Sequence, residues 1–374
     1  MANYVCQNCG KAFEVPPGLP GNAKLTCPNC KSAGSFIPIP TPVGNRSAKK
    51  LGLILPPIAP PEKITIAEVS STVQALISNV EHVIFGKHEQ ITLVAAVLLA
   101  EGHLLVEDVP GVAKTMLARA VAQSGGCSFK RVQCTPDLQP SDVLGEAAAP
   151  GDEGRVEFRF GPLFAQFVLV DEINRASPRT QAALLEAMGE ASVTAGRVTY
   201  QMAHPFMVFA TQNPIEQEGT FLLPEAQKDR FLVRLSLGYP SLQDEKEMCE
   251  HFQLGHPIES LKPVTTPEQI IKCQEKVRDV RVDSGVCDYI LSLVRATRQH
   301  PALLLGASPR GSLGLFRLAQ AFAAIEGSDS VSIAHVKKLA EAALAHRLIL
   351  KPGADPRYRD VREVIKEILA ASGR

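Results

Sequence analysis

Lys114 and Thr115 stand side by side at the end of the stretch His103 to Thr115, HLLVEDVPGVAKT. A lysine and a hydroxyl residue behind a glycine-containing turn can hold a phosphate. Converging backbone N–H groups and the positive end of the following helix meet the anion, the ammonium adds a point charge, and the hydroxyl can face Mg2+. The nucleotide-binding candidates are therefore Pro110, Gly111, Val112, Ala113, Lys114, Thr115 and Met116. The general pattern G-x-x-x-x-G-K-[ST] is only partly met. Asp108 stands where the first glycine belongs and Ala113 where the second belongs, leaving Gly111 to take positive φ cheaply. An ordinary strand–turn–helix ending in an exposed lysine has the same spelling, so residues elsewhere have to decide.

Two further apolar runs end in polar groups. Phe167-Val168-Leu169-Val170 delivers Asp171 and Glu172, the edge at which a parallel sheet binds ligands. Asp171 can hold Mg2+, largely through water, and Glu172 can polarise an attacking water as general base. Met207 to Ala210 leads into Thr211-Gln212-Asn213, and Asn213 can position the same water. Arg230 closes a short polar helix expected within Leu223 to Phe231. It can reach a neighbouring subunit's nucleotide, or it can pair with Asp229 or Glu225 at the surface.

These groups need a parallel sheet to carry them. The periodicity predicts helices from Ser70 or Ser71 to about Glu81 and from Glu89 to Ala100, then strands at Leu104–Val106 and Phe129–Val132. Arg155 to Arg159 alternates as one arm of a hairpin, and Ser192–Thr194 with Arg197–Thr199 reads as another. Beyond 240 the pattern is helical, at about 241–253, 266–278, 283–299, 311–326, 332–347 and 361–371, with caps at Ser241, Thr266, Asp283 and Ser332. The fold class expected is α/β, a parallel-sheet core followed by a small helical lid.

Taken together, EDVPGVAKT (107–115), TPDLQPSD (135–142), GPLFA (161–165), DEINRASPRTQAALLEAM (171–188), ATQNPIEQEGTF (210–221), LPEAQKDRF (223–231) and ASPRG (307–311) resemble the MoxR family of AAA+ ATPases. The resemblance runs from about Ile64 to the end. It implies an AAA+ P-loop core and ATP with Mg2+ as cofactors. Lys114 and Thr115 match the phosphate-loop pair, Asp171 the metal-linked acid and Glu172 the base. Asn213 matches the first sensor, Arg230 the inter-subunit arginine finger and Arg310 the second sensor, where it can turn nucleotide occupancy into lid rotation. The resemblance further implies a homo-oligomeric ring, a hexamer, that remodels or matures a protein partner, often one with a von Willebrand A domain. Hairpins like those noted above face the pore or the substrate in related proteins, although ordinary edge hairpins read the same. Asp108 is expected at the strand end with its side chain turned away from the phosphates, so Asp108→Gly should leave ATP affinity nearly unchanged.

The N-terminus falls outside the resemblance. Cys6 and Cys9, then, after seventeen intervening residues, Cys27 and Cys30 form two C-x-x-C knuckles with the spacing of a structural Zn2+ site, a zinc ribbon whose metal would supply most of its folding energy. A pair of disulfides or unliganded thiols is the competing reading, less suited to a chain with no export signal. Seven prolines between Pro38 and Pro61 predict an extended spacer. The organisation expected is a ribbon at 1–35, a linker at 36–63, an ATPase core at 64–240 and a lid at 241–374. Six Lys or Arg against two Glu in residues 1–62 give that part a net of +4, while the whole chain is neutral. Ribbons bind nucleic acid, proteins or nothing, so a nucleic-acid-binding regulator stays open as an alternative, as does a metal-chelatase-like motor subunit. Without an apolar leader or a bilayer-length apolar run, the expected location is the cytoplasm with no membrane insertion.

Overall fold

The computed structural model describes residues 2–6, 12–15, 36–38 and 64–372, apart from 148–157, 196–197, 214–219, 254 and 354. At the N-terminus, β1 (Ala2–Cys6) pairs antiparallel with β2 (Ala12–Val15) on one side and β3 (Phe36–Pro38) on the other. β3 therefore adds a short strand at the start of the stretch read as an extended spacer. Its Pro38 lies on an edge strand, where a missing N–H is tolerated. Cys9, Cys27 and Cys30 lie outside the described residues, as does the side chain of Cys6.

The next elements are α1 (Ile66–Glu81), α2 (His88–Leu99), β4 (Leu104–Glu107), α3 (Lys114–Ser124), β5 (Phe129–Gln133) and the short α4 (Pro140–Leu144). The hairpin of β6 (Gly145–Ala147) and β7 (Phe158–Phe160) follows, then β8 (Phe167–Asp171) and α5 (Pro178–Glu190). Next come the hairpin of β9 (Ser192–Ala195) and β10 (Val198–Gln201), β11 (Met207–Gln212), α6 (Glu225–Lys228) and β12 (Val233–Leu235). The central sheet is parallel throughout, in the order β12-β4-β11-β8-β5.

β4, β8 and β11 are largely buried on both faces, whereas the edge strand β5 is mostly exposed, and alternation sorts the side chains. Leu104, Val106, Phe167, Leu169, Met207 and Phe209 enter one apolar cluster. Leu105, Val168, Val170, Val208 and Ala210 enter the other, beneath α5. The two inserted hairpins lean on one another: the Phe158 ring stacks on Tyr200 at 4.8 Å, and Phe160 meets Tyr200 edge-on at 5.4 Å.

The remaining elements are α7 (Leu242–Phe252), α8 (Pro257–Ser260), α9 (Pro267–Val277), α10 (Ser284–Gln299), β13 (Leu303–Leu305), α11 (Pro309–Ile325), α12 (Ile333–Leu344), β14 (Ile349–Leu350) and α13 (Val361–Ala371). The apolar faces of α8 to α13 join the cluster that holds α1, α2 and α3. Polar ties reinforce the join: Ser70 Oγ donates to Ile325 O at 2.8 Å and Gln274 Nε2 to Leu98 O at 2.7 Å.

Several local expectations change. α1 starts four residues ahead of Ser70, because Thr65 and Glu68 make a reciprocal capping box. Ser241, Thr266 and Ser332 cap their helices through side-chain oxygens, whereas Asp283 makes no such bond. The pairing of β13 with β14 lacks any local sequence signal, each strand being too short for alternation to register.

Two buried histidines fasten the layers. His103 Nδ1 accepts from Val208 N–H at 3.2 Å, which leaves Nε2–H to donate to Met188 O at 3.2 Å. His346 Nε2 donates to Phe231 O at 3.0 Å. Burial pushes His103 down to about 4, and burial with the neighbouring Arg347 charge pushes His346 down to about 3. The unfolded chain therefore takes up protons near pH 6.5 that the folded chain refuses until much lower pH. Stability is full above pH 6.5 and falls as pH drops toward 4, by about 1.4 kcal/mol per pH unit for each histidine. Thermal unfolding between pH 7.5 and 5 should show a falling midpoint that flattens in a His103→Gln variant; an unchanged slope would remove His103 from this account.

Candidate functional site

The phosphate-loop candidate, the carboxylate pair and the amide are all brought to the C-terminal edge of the sheet. Lys114 follows β4, Asp171 ends β8 and Asn213 follows β11, which lies between them. α3, whose first residues are Lys114 and Thr115, packs against β8. This is the edge at which open parallel sheets bind ligands.

The loop itself explains its spelling. Gly111 is left-handed at φ 83°. Ala113, the N-cap of α3, is left-handed as well, at φ 62°. For a residue with a Cβ that conformation costs about 1–2 kcal/mol, which is why the general pattern places glycine there. Glu172 is also left-handed, at φ 55°, so among the described residues two of the four non-glycine positions with positive φ fall in this site. Strain of this kind persists where surrounding bonds over-determine the backbone.

Those bonds are visible around the carboxylates. Thr211 Oγ1 donates to Asp171 Oδ1 at 2.6 Å and accepts from Glu172 N–H at 2.9 Å, holding the turn between the two acids. Arg131 on β5 reaches Asp171 Oδ2 from Nη2 at 2.7 Å and from Nε at 3.2 Å. Glu172 Oε2 accepts from Arg175 Nη1 at 2.9 Å and from Gln133 Nε2 at 3.0 Å. Thr211, Arg131, Gln133 and Arg175 were not singled out from sequence. No local signal marked Arg131 and Gln133, whose role depends on which strand pairs with β5. They alternate about Val132 on the strand beside Asp171, with Gln133 directly opposite it.

Asp108 turns away from the loop, as its place at the strand end implied. Its carboxylate accepts from Leu237 N–H, Gly238 N–H, Ser236 Oγ and Val109 N–H. Burial pushes this carboxyl up, but those bonds outweigh it and hold it below the usual aspartate value. Lys114 Nζ donates to the Asp108 carbonyl at 2.8 Å.

Arg230 and Arg310 sit elsewhere. Both line a cavity of about 280 Å³ bordered by Gly102, His103, Met188 and Arg317. Gly102 and His103 precede β4, whereas the phosphate loop follows it. A four-residue strand, about 13 Å at ~3.3 Å per residue, separates the two sites. Arg230 Nη1 donates to Leu185 O, and Asp229 rather than Arg230 forms the ion pair, with Arg347. Ser308 Oγ also donates to Asp229, at 2.8 Å, so the turn before Arg310 is tied to the turn that holds Arg230.

The chain matches the family described as "ATPase family associated with various cellular activities (AAA)" over residues 103–233, and the AAA lid domain over residues 295–368. It is 39% identical to Chaperone MoxR1 of Mycobacterium tuberculosis over 290 residues, which cover 75% of this chain and 76% of that one. The chain belongs to the MoxR family of AAA+ ATPases. Its activity is ATP hydrolysis. This MoxR-family chain is also 48% identical to the uncharacterized protein YeaC of Bacillus subtilis, over 79% of its own length and 92% of the relative's. Its fold is that of a candidate ATPase from Cytophaga hutchinsonii, with a TM-score of 0.76, 34% identity and coverage of 82% and 95%. No helix among the described residues of the MoxR-family chain is long and apolar enough to cross a membrane.

Proposed function

We propose that the chain hydrolyses Mg2+-bound ATP at the contacts between copies in a ring, of six by family resemblance, and uses the cycle to remodel a protein partner. The observation that carries this reading is the separation of Arg230 and Arg310 from Lys114 across the sheet. Arginines at one end of a core and a phosphate loop at the other complement each other only between neighbours. Arg230 then acts as the finger that offsets charge on the neighbour's nucleotide, and Arg310 acts beside it.

Within one copy, Pro110 to Met116 cradle the phosphates, with Lys114 as point charge. The Thr115 hydroxyl and the Asp171 carboxylate are hard oxygen donors on packed elements, a set suited to Mg2+, which keeps most of its waters and takes few protein ligands. The ion would supply charge neutralisation at the phosphate oxygens. Glu172 takes the proton from water, and Asn213 orients that water.

The chaperone name of the mycobacterial relative supports a protein substrate. A von Willebrand A domain is the partner that the family resemblance suggests. For the N-terminus, the knuckle spacing of Cys6, Cys9, Cys27 and Cys30 supports a Zn2+-bound ribbon. Metal analysis of the purified chain should return one zinc per chain, lost in Cys27→Ser; a zinc-free chain would end the ribbon reading.

The trans arrangement is tested by mixing. Arg230→Ala and Lys114→Ala should each be inactive alone, the first for want of a finger and the second for want of a phosphate site. Mixed, they form interfaces with an intact Lys114 site facing an intact Arg230, and turnover should return. A mixture as inactive as its parts, in an assembly shown to contain both, would place Arg230 in its own copy's chemistry.

A further inference from the structure

We propose that Asp108 is a positioning residue that ties the phosphate loop to the connection between the sheet and the lid. The inference rests on Lys114 being the phosphate-binding lysine.

Asp108 has two hands. Its backbone carbonyl accepts from Lys114 Nζ at 2.8 Å. Its carboxylate holds residues 236–238, which join β12 to α7, the first helix of the lid: Oδ2 accepts from Leu237 N–H at 2.6 Å, Gly238 N–H at 2.8 Å and Ser236 Oγ at 3.1 Å. Two consecutive N–H groups converging on one oxygen make the kind of concavity that backbone nests offer to anions. Gly238 makes room for it at φ 62°. The remaining oxygen accepts from Val109 N–H at 2.9 Å, so both carboxylate oxygens are bonded and the residue is 7% exposed. Charge-assisted bonds from backbone N–H groups are among the stronger hydrogen bonds in a protein.

The connection is gripped from its other side too. Lys87 Nζ donates to Tyr239 O at 2.9 Å, and a Cβ at Gly86 would collide with the Asp244 carboxylate that caps α7. Residues 236–244 are therefore clamped between the turn after α1 and the entry to the phosphate loop. When Lys114 turns to a triphosphate it leaves the Asp108 carbonyl, and the bond that opens is one residue's backbone away from the bonds that hold the lid's root. Asp108 carries that change to 236–238 without touching nucleotide. This also explains why an acid is tolerated here: its charge is spent on the far side.

The test is hydrogen exchange of residues 236–252 in the full chain, with and without a non-hydrolysable ATP analogue, for the wild type, Asp108→Asn and Ser236→Ala. Asp108→Asn keeps shape but turns an acceptor into a donor at part of the nest, and Ser236→Ala removes one donor with little risk to folding. In the wild type, nucleotide should change exchange in this segment by about 5-fold or more. In Asp108→Asn the response should vanish and kcat should fall, while analogue affinity and KM stay within about 3-fold; Ser236→Ala should show a partial loss. Unaltered nucleotide-dependent exchange in both variants overturns the link. Parallel loss of affinity and response overturns it as well, because Asp108 would then merely support the binding site. Analogue affinity that survives Lys114→Ala would instead strike at the phosphate-loop reading.

Discussion

Glu172→Gln should bind ATP with wild-type affinity and hydrolyse it about 10²- to 10⁴-fold more slowly, the range that a positioned general base contributes. The substitution is nearly isosteric. Its amide oxygen can still accept from Arg175 and Gln133, which hold the carboxylate at 2.9 and 3.0 Å, so the turn at φ 55° has no new reason to relax. What is lost is the ability to take a proton from water. Phosphate release under saturating ATP, set beside equilibrium binding of a fluorescent analogue, separates the two effects. A variant with normal turnover would remove Glu172 as the base, and one that no longer binds would show its role to be structural. On the proposed ring reading, the same variant loaded with ATP would retain its protein partner and could serve as bait for it.

The second large effect concerns stability. Asp229→Ala should destabilise the chain by about 3–5 kcal/mol, because it strands a buried guanidinium. Arg347 has a side chain only 3% exposed and donates to Asp229 O, to the Asp229 carboxylate and to Phe231 O. Burial pushes this guanidinium down from the usual arginine range, and Asp229 is what opposes that shift. Without the acid, Arg347 keeps its carbonyl partners but loses its counter-charge. Thermal unfolding should fall by roughly 5–10 °C. The double variant Asp229→Asn/Arg347→Met should be less damaged than Asp229→Ala, since replacing both members leaves no unpaired charge. Equal damage in the two would show that the ion pair is not the source of the effect.

Much of this was legible in residue order. The strands at Leu104, Phe167 and Met207 announce themselves as apolar runs, and the groups that follow each run land on one sheet edge because parallel strands share a direction. The helices after 240 were equally open to reading, since 3.6-residue periodicity and Ser or Thr caps are local signals. What escaped was non-local. Arg131 and Gln133 read as exposed positions on an edge strand until β5 is placed beside β8 and their side chains meet Asp171 and Glu172. Asp108 looked like a defect in a glycine pattern because its partners lie about 130 positions further on, at Ser236 to Gly238. The remoteness of Arg230 from Lys114 is likewise a property of which end of β4 each one flanks.

One detail bears on how a ring could fire. Asp229 is bonded at once to Ser308, which precedes α11, and to Arg347, which follows α12, and it sits next to Arg230. Arg310 is two residues beyond Ser308. Arg230, whose Nη1 donates to Leu185 O, and Arg310 are thus mounted on one bracket. On the proposed ring reading, a neighbour would therefore meet the two positive charges together rather than one at a time.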